Sequence, residues 1–554
     1  MTKQLAAGMI LAWVVAGGCV ARPTSSATGI AGESPRYDLT ARLFPLDRRL
    51  EVSGTIQLPA ADTGRAELAL SLTERMRDFR VEVVEPLSHA GPMEMQRVAD
   101  ERGGTNWVHR PANPFPSGHR ILLRFSAAGD GETATMYYVG REVAFASAWG
   151  TDWYPVVQDG QEKGTGILAV MVPAGWRVAT GGVRASTDGE EAEGTFRSTI
   201  SNPTYFSFTA GKYEVVRHTG RVPISAYLLT PRQHSASYLQ GVASIMDVLT
   251  DEFGAFPFSE LTLVEVPRDL ANQAGFNAVG AAGLLVLNSR AFDAPDPKYL
   301  LEWLGHELGH QWFPHTVSLR TPPGLYMEEA LAEYGGLRVV ETIAGAAAAK
   351  RLRMTGFEFD PIYSALAYFQ SVGAGVDQAL NDLQPRLEHR NLAYTKGALV
   401  FDMLSRELGR TEFQRILHDI TRRYRFRSLT WQEFLAAIEL GAAPDLGWFY
   451  EQWFQRTGAP DFRVSWTQQG DTLRGVVTQP EPIYRARLRV LIRDGGRGEL
   501  FHLVVTTGAN VEFAVPVGFR VSSVILDPDF EILRWTSEYR AAADSAHSGS
   551  LPRR

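Results

Sequence analysis

A pair of histidines four residues apart, in the sequence His-Glu-Leu-Gly-His at residues 306–310, constrains this chain more than any other feature. In a helix the two imidazoles lie one turn apart on one face, so both can reach the same ion. We expect this helix to begin at Asp296-Pro297, an N-cap followed by a proline at the first helical position. We expect it to run to Phe313, because Pro314 cannot continue a helix.

A third ligand is expected on a second helix, because tetrahedral zinc in a hydrolase takes three protein ligands and leaves one position open. Glu329 follows His310 after a gap of 18 residues, in a segment that reads as helical. We therefore predict His306, His310 and Glu329 as ligands of one zinc ion, and Glu307 as the base that acts on its water. Glu333, one turn beyond Glu329, is predicted to accept the second N–H of a ligand histidine.

The five-residue pattern alone leaves a second interpretation open, which is a helix with two solvated histidines and a glutamate. Two nearby residues receive no metal role. Glu328 points to another side of its helix and is predicted to be a solvated or substrate-facing carboxylate. His315 follows Pro314 and is predicted to be a surface histidine.

Hydrophobic periodicity divides the chain into a β-rich part, an α-rich part and a second β-rich part. The α-rich part includes a helix expected over residues 233–253, and capping-box spacing at Thr411 and at Thr430. The predicted segments are a signal peptide at 1–18, a flexible tether at 19–35, a β domain at 36–217, a catalytic domain at 218–457, a β-sandwich at 458–540 and a disordered tail at 541–554.

The single cysteine, Cys19, follows a short apolar run and the small residues of positions 16–18. This arrangement resembles a bacterial lipoprotein signal, in which the cysteine is lipidated and becomes the mature N-terminus. The alternative is an ordinary secretory signal that is cleaved nearby. The prediction is a protein exported to the bacterial cell envelope and held at a membrane by its N-terminal lipid.

The composition is that of an ordinary globular protein, with 45% hydrophobic and 21% charged residues. The formal net charge of -7 argues against a nucleic-acid partner, since such proteins usually present a strongly basic face. A single cysteine also excludes a disulfide framework and a thiolate metal site.

These motifs resemble those of the gluzincin aminopeptidases, the family of aminopeptidase N and leukotriene-A hydrolase. The flank at residues 310–313, His-Gln-Trp-Phe, and the segment at 394–397, Tyr-Thr-Lys-Gly, are similar to the family's sequences. The resemblance implies a multidomain α+β fold with an N-terminal β saddle domain, a thermolysin-like α-rich catalytic domain and a C-terminal β-sandwich. It also implies that Tyr394 stabilises the oxyanion of the tetrahedral intermediate.

One departure from the family concerns the recognition of the substrate's free amino group. The family's exopeptidases carry a glutamate in a Gly-Ala-Met-Glu-Asn strand, and Gly280 occupies that position here. An ammonium group needs a carboxylate to offset its desolvation. Glu265, Asp269 and Glu328 are the replacements that the sequence offers.

The sequence therefore predicts a zinc metallopeptidase that acts on peptides or proteins and resembles an aminopeptidase with altered N-terminus recognition. Two alternatives stay open. The chain could be an endopeptidase or oligopeptidase that cleaves blocked or internal bonds. It could also be a scaffold lipoprotein that keeps a zinc site with little turnover.

Overall fold

The computed structural model describes residues 34–99, 105–131, 136–148, 150–158, 163–294, 300–356, 364–384, 386–443 and 445–547. The predicted signal peptide, Cys19 and nearly all of the predicted tether lie outside these residues. None of the helices in the described part of the chain combines the length and hydrophobicity of a membrane span.

The chain forms two compact units. The first contains the described residues up to Ser244 and those of Phe256–Tyr299, and the second contains Ile245–Ala255 and the described residues from Leu300 onward. The division falls inside one helix and does not follow the three predicted domains, whose boundaries stay a prediction. The prediction of a multidomain α+β fold is confirmed.

The first unit is built mainly from strands that alternate buried and exposed residues, as in Arg36–Phe44. Its strands are β1 Arg36–Phe44, β2 Arg49–Leu58, β3 Leu68–Ser71, β4 Met76–Glu85, β5 Gly91–Pro92, β6 Gln96–Ala99, β7 Thr105–His109, β8 Ile121–Asp130, β9 Tyr137–Val139, β10 Val143–Ser147, β11 Val156–Val157, β12 Gly164–Met171, β13 Arg177–Thr180, β14 Val183–Arg184, β15 Thr195–Thr204, β16 Ser207–Gly211, β17 Glu214–His218, β18 Ile224–Leu228, β19 Leu261–Val266, β20 Ala278–Ala281 and β21 Leu284–Asn288. Its helices are α1 Asp188–Ala192, the N-terminal half of α2 Ser235–Phe253, and α3 Arg268–Ala274.

Four sheets organise these strands. The largest has the order β14-β15-β12-β1-β2-β8-β4-β5, and two four-stranded sheets have the orders β13-β16-β10-β9 and β11-β3-β7-β6. A fourth sheet, β17-β18-β19-β21-β20, pairs β18, β19 and β21 in parallel and adds β20 as an antiparallel edge strand. Its central strand is β19, in which every residue is buried.

The second unit is mainly helical, with strands toward its C-terminal end. Its helices are α4 Leu301–Gly309, α5 Pro322–Ala344, α6 Ala346–Thr355, α7 Ala365–Gly373, α8 Leu387–Leu392, α9 Ala398–Leu408, α10 Arg410–Arg423, α11 Trp431–Gly441, α12 Gly447–Trp453 and α13 Ser537–His547. Its strands are β22 Val317–Leu319, β23 Arg427–Leu429, β24 Arg463–Gln469, β25 Thr472–Thr478, β26 Ala486–Arg493, β27 Glu499–Thr506, β28 Asn510–Pro516 and β29 Ser523–Leu526. The last six form two three-stranded sheets, β24-β25-β28 and β27-β26-β29.

The helix that carries the histidine pair is shorter than predicted. Its predicted start at Asp296-Pro297 lies outside the described residues, and it ends at Gly309 rather than at Phe313. Residues 310–316 form turns instead, in which the backbone N–H of His315 donates to the carbonyl of His310 at 3.1 Å. Proline disfavours helical geometry in the residue before it as well as in itself, so the helix ends before Pro314.

The prediction of a disordered tail at 541–554 is wrong for its first half. Residues up to His547 belong to α13, and residues 548–554 lie outside the described part of the chain. Tyr539 anchors this helix, because its ring is fully buried and lies 4.9 Å from the ring of Phe369 in α7. The sequence of the tail is small and polar, and the aromatic anchor lies just before it.

Candidate metal centre

The two histidines present the same type of nitrogen toward one point. His306 lies in the last turn of α4, and His310 is the residue that caps its end, with φ -59 and ψ -17. Their Nε2 atoms are 3.2 Å apart. The Nδ1 atom of His310 is 2.8 Å from the carbonyl oxygen of Phe313. An N–H on Nδ1 donates to that carbonyl and leaves the Nε2 lone pair free to bind a metal.

The carboxylate ligand comes from α5, which crosses α4 at very short distance. A β-carbon at Gly336 would lie 2.7 Å from the carbonyl oxygen of Glu302, and one at Gly305 would lie 2.9 Å from the Cα of Gly336. Only glycine permits this approach of two backbones. The contact brings Glu329 and Glu333, both on α5, to the histidines of α4.

Glu333 supports the metal centre in the role that its spacing predicted. Its Oε2 atom accepts a hydrogen bond from Nδ1 of His306 at 3.1 Å, and its side chain is 3% exposed. This bond fixes the ring orientation of His306 and directs its Nε2 atom toward the other ligands. The structure thus assigns each histidine its own acceptor, a carboxylate for His306 and a backbone carbonyl for His310.

The three ligand atoms form a nearly regular triangle. Oε2 of Glu329 is 3.5 Å from Nε2 of His306 and 3.4 Å from Nε2 of His310. Ligands at zinc–nitrogen and zinc–oxygen distances of about 2.0–2.1 Å in a tetrahedron are about 3.3 Å apart. Among the described residues this is the group of histidine, cysteine and acidic side chains with the spacing of a metal site. The residues therefore fit a zinc ion in both spacing and chemistry.

Electrostatics keep the ligand carboxylate in its deprotonated form. Burial raises the pKa of Glu329, but His310 and His306 lower it more, so that the pKa lies well below its usual range. Burial lowers the pKa of both histidines, and the contact with Glu329 raises it above the usual value. Metal binding requires an ionised carboxylate, and Glu329 meets that requirement.

Glu307 lies between the two histidines in sequence and differs from Glu329 in its electrostatic environment. Burial raises its pKa, and the nearby His306, His310 and Arg390 only partly oppose this effect. Two carboxylates of one site thus have pKa values displaced in opposite directions, a pattern that suits one ligand and one proton carrier.

Tyr394 reaches the same centre from a third element. It lies in a π-helical turn, Ala393–Gly397, between α8 and α9. Its hydroxyl donates a hydrogen bond to Oε2 of Glu329, the ligand oxygen itself. Its ring lies 5.4 Å from the imidazole of His306 at an interplanar angle of 24°. Turns of this kind are rare in proteins, and many of those that are found lie at functional sites.

The family model described as the peptidase family M1 domain matches residues 240–453, which include all of these site residues. This part of the chain is similar to the peptidase family M1 domain. The resemblance to the gluzincin aminopeptidases that the sequence indicated is thereby confirmed.

Known proteins similar to this chain include several aminopeptidases. "Probable aminopeptidase 1" of Saccharolobus solfataricus is 20% identical over 339 residues, which are 57% of this chain and 39% of that protein. "Glutamyl aminopeptidase" of Bos taurus is 23% identical over 286 residues, which are 49% of this chain and 29% of that protein. The chain thus spans well under half the length of these curated relatives.

Two solved structures have a fold similar to that of this chain. One is aminopeptidase A of Legionella pneumophila in complex with aspartic acid, with a TM-score of 0.67 and 14% sequence identity. The superposition covers 93% of this chain and 60% of the Legionella chain. The other is a mutant of an M1 zinc metallopeptidase from Deinococcus radiodurans, with a TM-score of 0.59 and 16% sequence identity. The superposition covers 78% of this chain and 97% of the Deinococcus chain.

Two residues near the M1 metal centre differ from their predictions. His315 is 8% exposed and is not a surface histidine. Glu328 is 6% exposed, and it accepts a hydrogen bond from the backbone N–H of Leu319. It holds the start of α5 against β22 and is not a solvated carboxylate. The compact turn after Gly309 returns the chain to α5, where the backbone of Leu319 contacts Glu328.

Two of the three possible replacements for the missing amine-binding glutamate, Glu265 and Glu328, form hydrogen bonds within the protein. Glu265 lies in β19 of the first unit and pairs with Arg232 at 2.9 Å. It also accepts hydrogen bonds from the backbone N–H groups of Leu229 and Thr230 at 2.9 and 3.3 Å. Gly280 lies in β20, the edge strand of the same sheet.

Asp269, in α3 of the first unit, is the replacement that stays exposed. Sequence reasoning missed Arg390, whose guanidinium carbon lies 5.3 Å from the centre of the Tyr394 ring. Arg390 precedes Tyr394 by four residues, and this spacing is the signal that could have identified it, since residues four apart share a face of a helical segment.

Proposed function

We propose that this chain is a zinc-dependent metallopeptidase that hydrolyses peptide bonds. The observation that carries the proposal is the triangle of His306 Nε2, His310 Nε2 and Glu329 Oε2, with edges of 3.2–3.5 Å. Glu307 follows the first ligand directly, and the hydroxyl of Tyr394 bonds to the ligand oxygen. A proton carrier and a hydrogen-bond donor thus accompany one complete set of zinc ligands.

Each of these residues has a distinct part in the proposed reaction. His306, His310 and Glu329 would hold zinc, which when bound supplies a Lewis acid for the scissile carbonyl and lowers the pKa of water. Glu307 takes a proton from the attacking water and delivers it to the leaving amine. Tyr394 donates a hydrogen bond to the carbonyl oxygen as that oxygen gains negative charge.

The finer proposal is an aminopeptidase-like enzyme with altered recognition of the N-terminus. The curated relatives of this chain carry aminopeptidase names, including a glutamyl aminopeptidase. Gly280 offers no carboxylate for a substrate ammonium group, and Glu265 and Glu328 already have internal partners. An endopeptidase or oligopeptidase that needs no free N-terminus is the second candidate, and the same observation favours it.

One experiment separates these functions. A peptide pool, half of it N-acetylated, is incubated with the zinc-loaded full chain and read by mass spectrometry. Loss of N-terminal residues from free peptides alone identifies an aminopeptidase, and internal cleavage of acetylated peptides identifies an endopeptidase. If neither half changes, the protein is a zinc-binding scaffold.

The Glu307→Gln variant is the control for the chemistry. It keeps all three ligand residues, so we expect stoichiometric zinc with a turnover rate reduced at least about a thousandfold, since proton transfer and its orientation are lost together. Glu412→Gln, at an exposed side chain of α10, provides the matched substitution and should cleave at the wild-type rate. Wild-type turnover in Glu307→Gln would falsify the assignment of the base.

We also propose a place for the protein, at the bacterial cell envelope and held by a lipid on Cys19. The apolar run followed by small residues and this single cysteine supports the proposal. Detergent phase partition of the protein expressed in bacteria tests it. The wild-type protein should enter the detergent phase, and Cys19→Ser should stay in the aqueous phase. Equal partition of the two would contradict lipidation.

A further inference from the structure

We infer that Arg390 is a substrate-binding residue that recognises a carboxylate on the peptide, and this inference rests on the proposed peptidase function. The carboxylate is either the free C-terminus of a short peptide or an aspartate or glutamate side chain next to the cleaved bond. Both sources present the same planar anion, which an arginine can bind with two parallel hydrogen bonds.

The position of Arg390 supports this role. It lies in α8, one turn before Tyr394, and its guanidinium carbon is 5.3 Å from the centre of that ring. Tyr394 in turn bonds to Glu329 and lies against His306. Arg390 is therefore one side chain away from the metal ligands, in the helix directly before the turn that carries the proposed oxyanion donor.

The distances suit a peptide bound at the metal centre. Neighbouring Cα atoms of a peptide are 3.8 Å apart. A carboxylate one or two residues from the scissile bond is therefore displaced from it by about 4–8 Å. This is the scale of the 5.3 Å between the Arg390 guanidinium carbon and the centre of the Tyr394 ring. An arginine presents its N–H donors in a planar fork, which matches the planar geometry of a carboxylate.

The negative charges around the metal centre explain why a cation at the position of Arg390 would help an anionic peptide to bind. Glu302, Glu307, Glu329 and Glu333 all lie on α4 and α5 around the ligand set. These carboxylates repel an anionic peptide at short range. Arg390 acts in the opposite direction, and its charge is felt at Glu307 and at Tyr326 on α5. Arg390 is only partly buried, so a ligand can reach it.

The test compares matched peptides that differ only in one carboxylate, using the zinc-loaded full chain. The first pair is a tripeptide with a free C-terminus and the same tripeptide as its amide. The second set is a longer peptide amide with Glu or Gln on either side of the cleaved bond. The measured quantity is the ratio of kcat/KM between the charged and the neutral member, in the wild type and in Arg390→Gln, Arg390→Lys and Arg422→Gln.

We expect the wild type to prefer the charged member of at least one pair by about tenfold or more, as for a hydrogen bond between charged groups. Arg390→Gln should bring that ratio to within about twofold of one, and Arg390→Lys should keep an intermediate ratio, which a merely structural role would not produce. Arg422, 75% exposed on α10, is the matched control, and Arg422→Gln should keep the wild-type ratio. A preference in the first pair identifies a free C-terminus as the ligand, and one in the second set identifies an acidic side chain.

Two outcomes would overturn the inference: no preference in the wild type, or a preference that persists in Arg390→Gln with wild-type zinc content and melting temperature. Cleavage of the neutral peptides tests the proposed peptidase function separately. If no peptide is cleaved, calorimetric binding of the same pairs to zinc-loaded Glu307→Gln decides the question. Tighter binding of the charged member that is lost in Glu307→Gln/Arg390→Gln supports the inference, and equal binding contradicts it.

Discussion

At the scale of single residues, Glu333 acts on the metal through His306. The hydrogen bond of 3.1 Å between its Oε2 atom and Nδ1 of His306 fixes the ring and increases its basicity. We expect Glu333→Gln, which keeps the shape but removes the charge, to weaken zinc binding by about 10- to 100-fold. Competition with a chromophoric chelator measures this affinity.

The matched control is Glu412→Gln, since that side chain is 40% exposed on α10 and pairs only with arginine in the contacts described. Its zinc affinity should equal that of the wild type. An unchanged affinity in Glu333→Gln would mean that the hydrogen bond to His306 does not support the metal.

We expect Lys396, two residues after the proposed oxyanion donor, to make the stability of the second unit depend on pH. Its side chain is fully buried, its Nζ atom donates to the carbonyl of Arg456 at 2.8 Å, and it lies 5.6 Å from the ring centre of Tyr368. Burial lowers the pKa of Lys396 to about 8, although the charge of Asp377 opposes the shift. The pKa of Tyr368 is raised well above its usual value, so this ring stays neutral through the same range.

An unfolded lysine titrates near 10.4, so between pH 8 and that value the unfolded chain binds the proton more tightly than the folded one. The free energy of unfolding of the wild type therefore rises with pH in this window, by at most about 1.4 kcal/mol per pH unit from this residue. Lys396→Met should lack the rise. Chemical unfolding at pH 7 to 9.5, taken as the difference between wild type and variant, measures it, and parallel pH curves would contradict the prediction.

At the scale of elements, the crossing of α4 and α5 depends on two glycines. We expect Gly336→Ala to force the helices apart, because its β-carbon would lie 2.7 Å from the carbonyl oxygen of Glu302. Overpacking of this kind costs about 1–3 kcal/mol. Since the crossing sets the distance between Glu329 and the histidines, zinc affinity should fall together with the melting temperature.

Gly508→Ala is the control, because a β-carbon at that position meets no atom within 4 Å. It should change neither quantity. A Gly336→Ala variant with wild-type zinc affinity would show that the ligand triangle does not depend on the close approach.

The sequence predicted the ligand set well because its information is local. The spacing of His306 and His310 is a pattern of a few residues, and the structure brings their Nε2 atoms to within 3.2 Å of each other. The capping box at Thr430 is also present, with both of its hydrogen bonds to and from Glu433. At Thr411 the same spacing fails, because Gly409 already ends α9 and α10 begins at Arg410.

The missed features depend on contacts between distant segments. The burial of Glu328 results from the turn that follows α4, which returns Leu319 to α5. The helix Ser537–His547 is held by the ring of Phe369, more than 160 residues earlier in the chain. A single-sequence pattern carries no record of such partners, so short or polar segments that depend on them are misjudged.

At the scale of the whole molecule, the zinc ligands all belong to one of the two compact units. His306, His310 and Glu329 lie in the second unit, and the first contributes none of them. A ligand stabilises only the folded state that binds it. We therefore expect calorimetry to show two unfolding transitions, of which zinc shifts one.

At a free zinc concentration one hundred times Kd the stabilisation is about 2.7 kcal/mol. For a unit of this size the corresponding shift is roughly 5–10 °C. Hydrogen exchange identifies the unit that zinc stabilises. Zinc should slow amide exchange in α4 and α5 and leave it unchanged in β1 and β2. A single transition that moves as a whole would mean that the two units unfold cooperatively.

The π-helical turn at Ala393–Gly397 has a consequence for how this protein changes over evolutionary time. A π-helical turn closes its hydrogen bonds from i to i+5, so it contains one residue more than an α-helical turn while the helices on both sides keep their packed faces. The direction of Tyr394 is thereby separated from the packing of α9. A lineage that deleted one residue here would turn the tyrosine away from the metal and lose catalysis, yet it would keep its fold and its zinc.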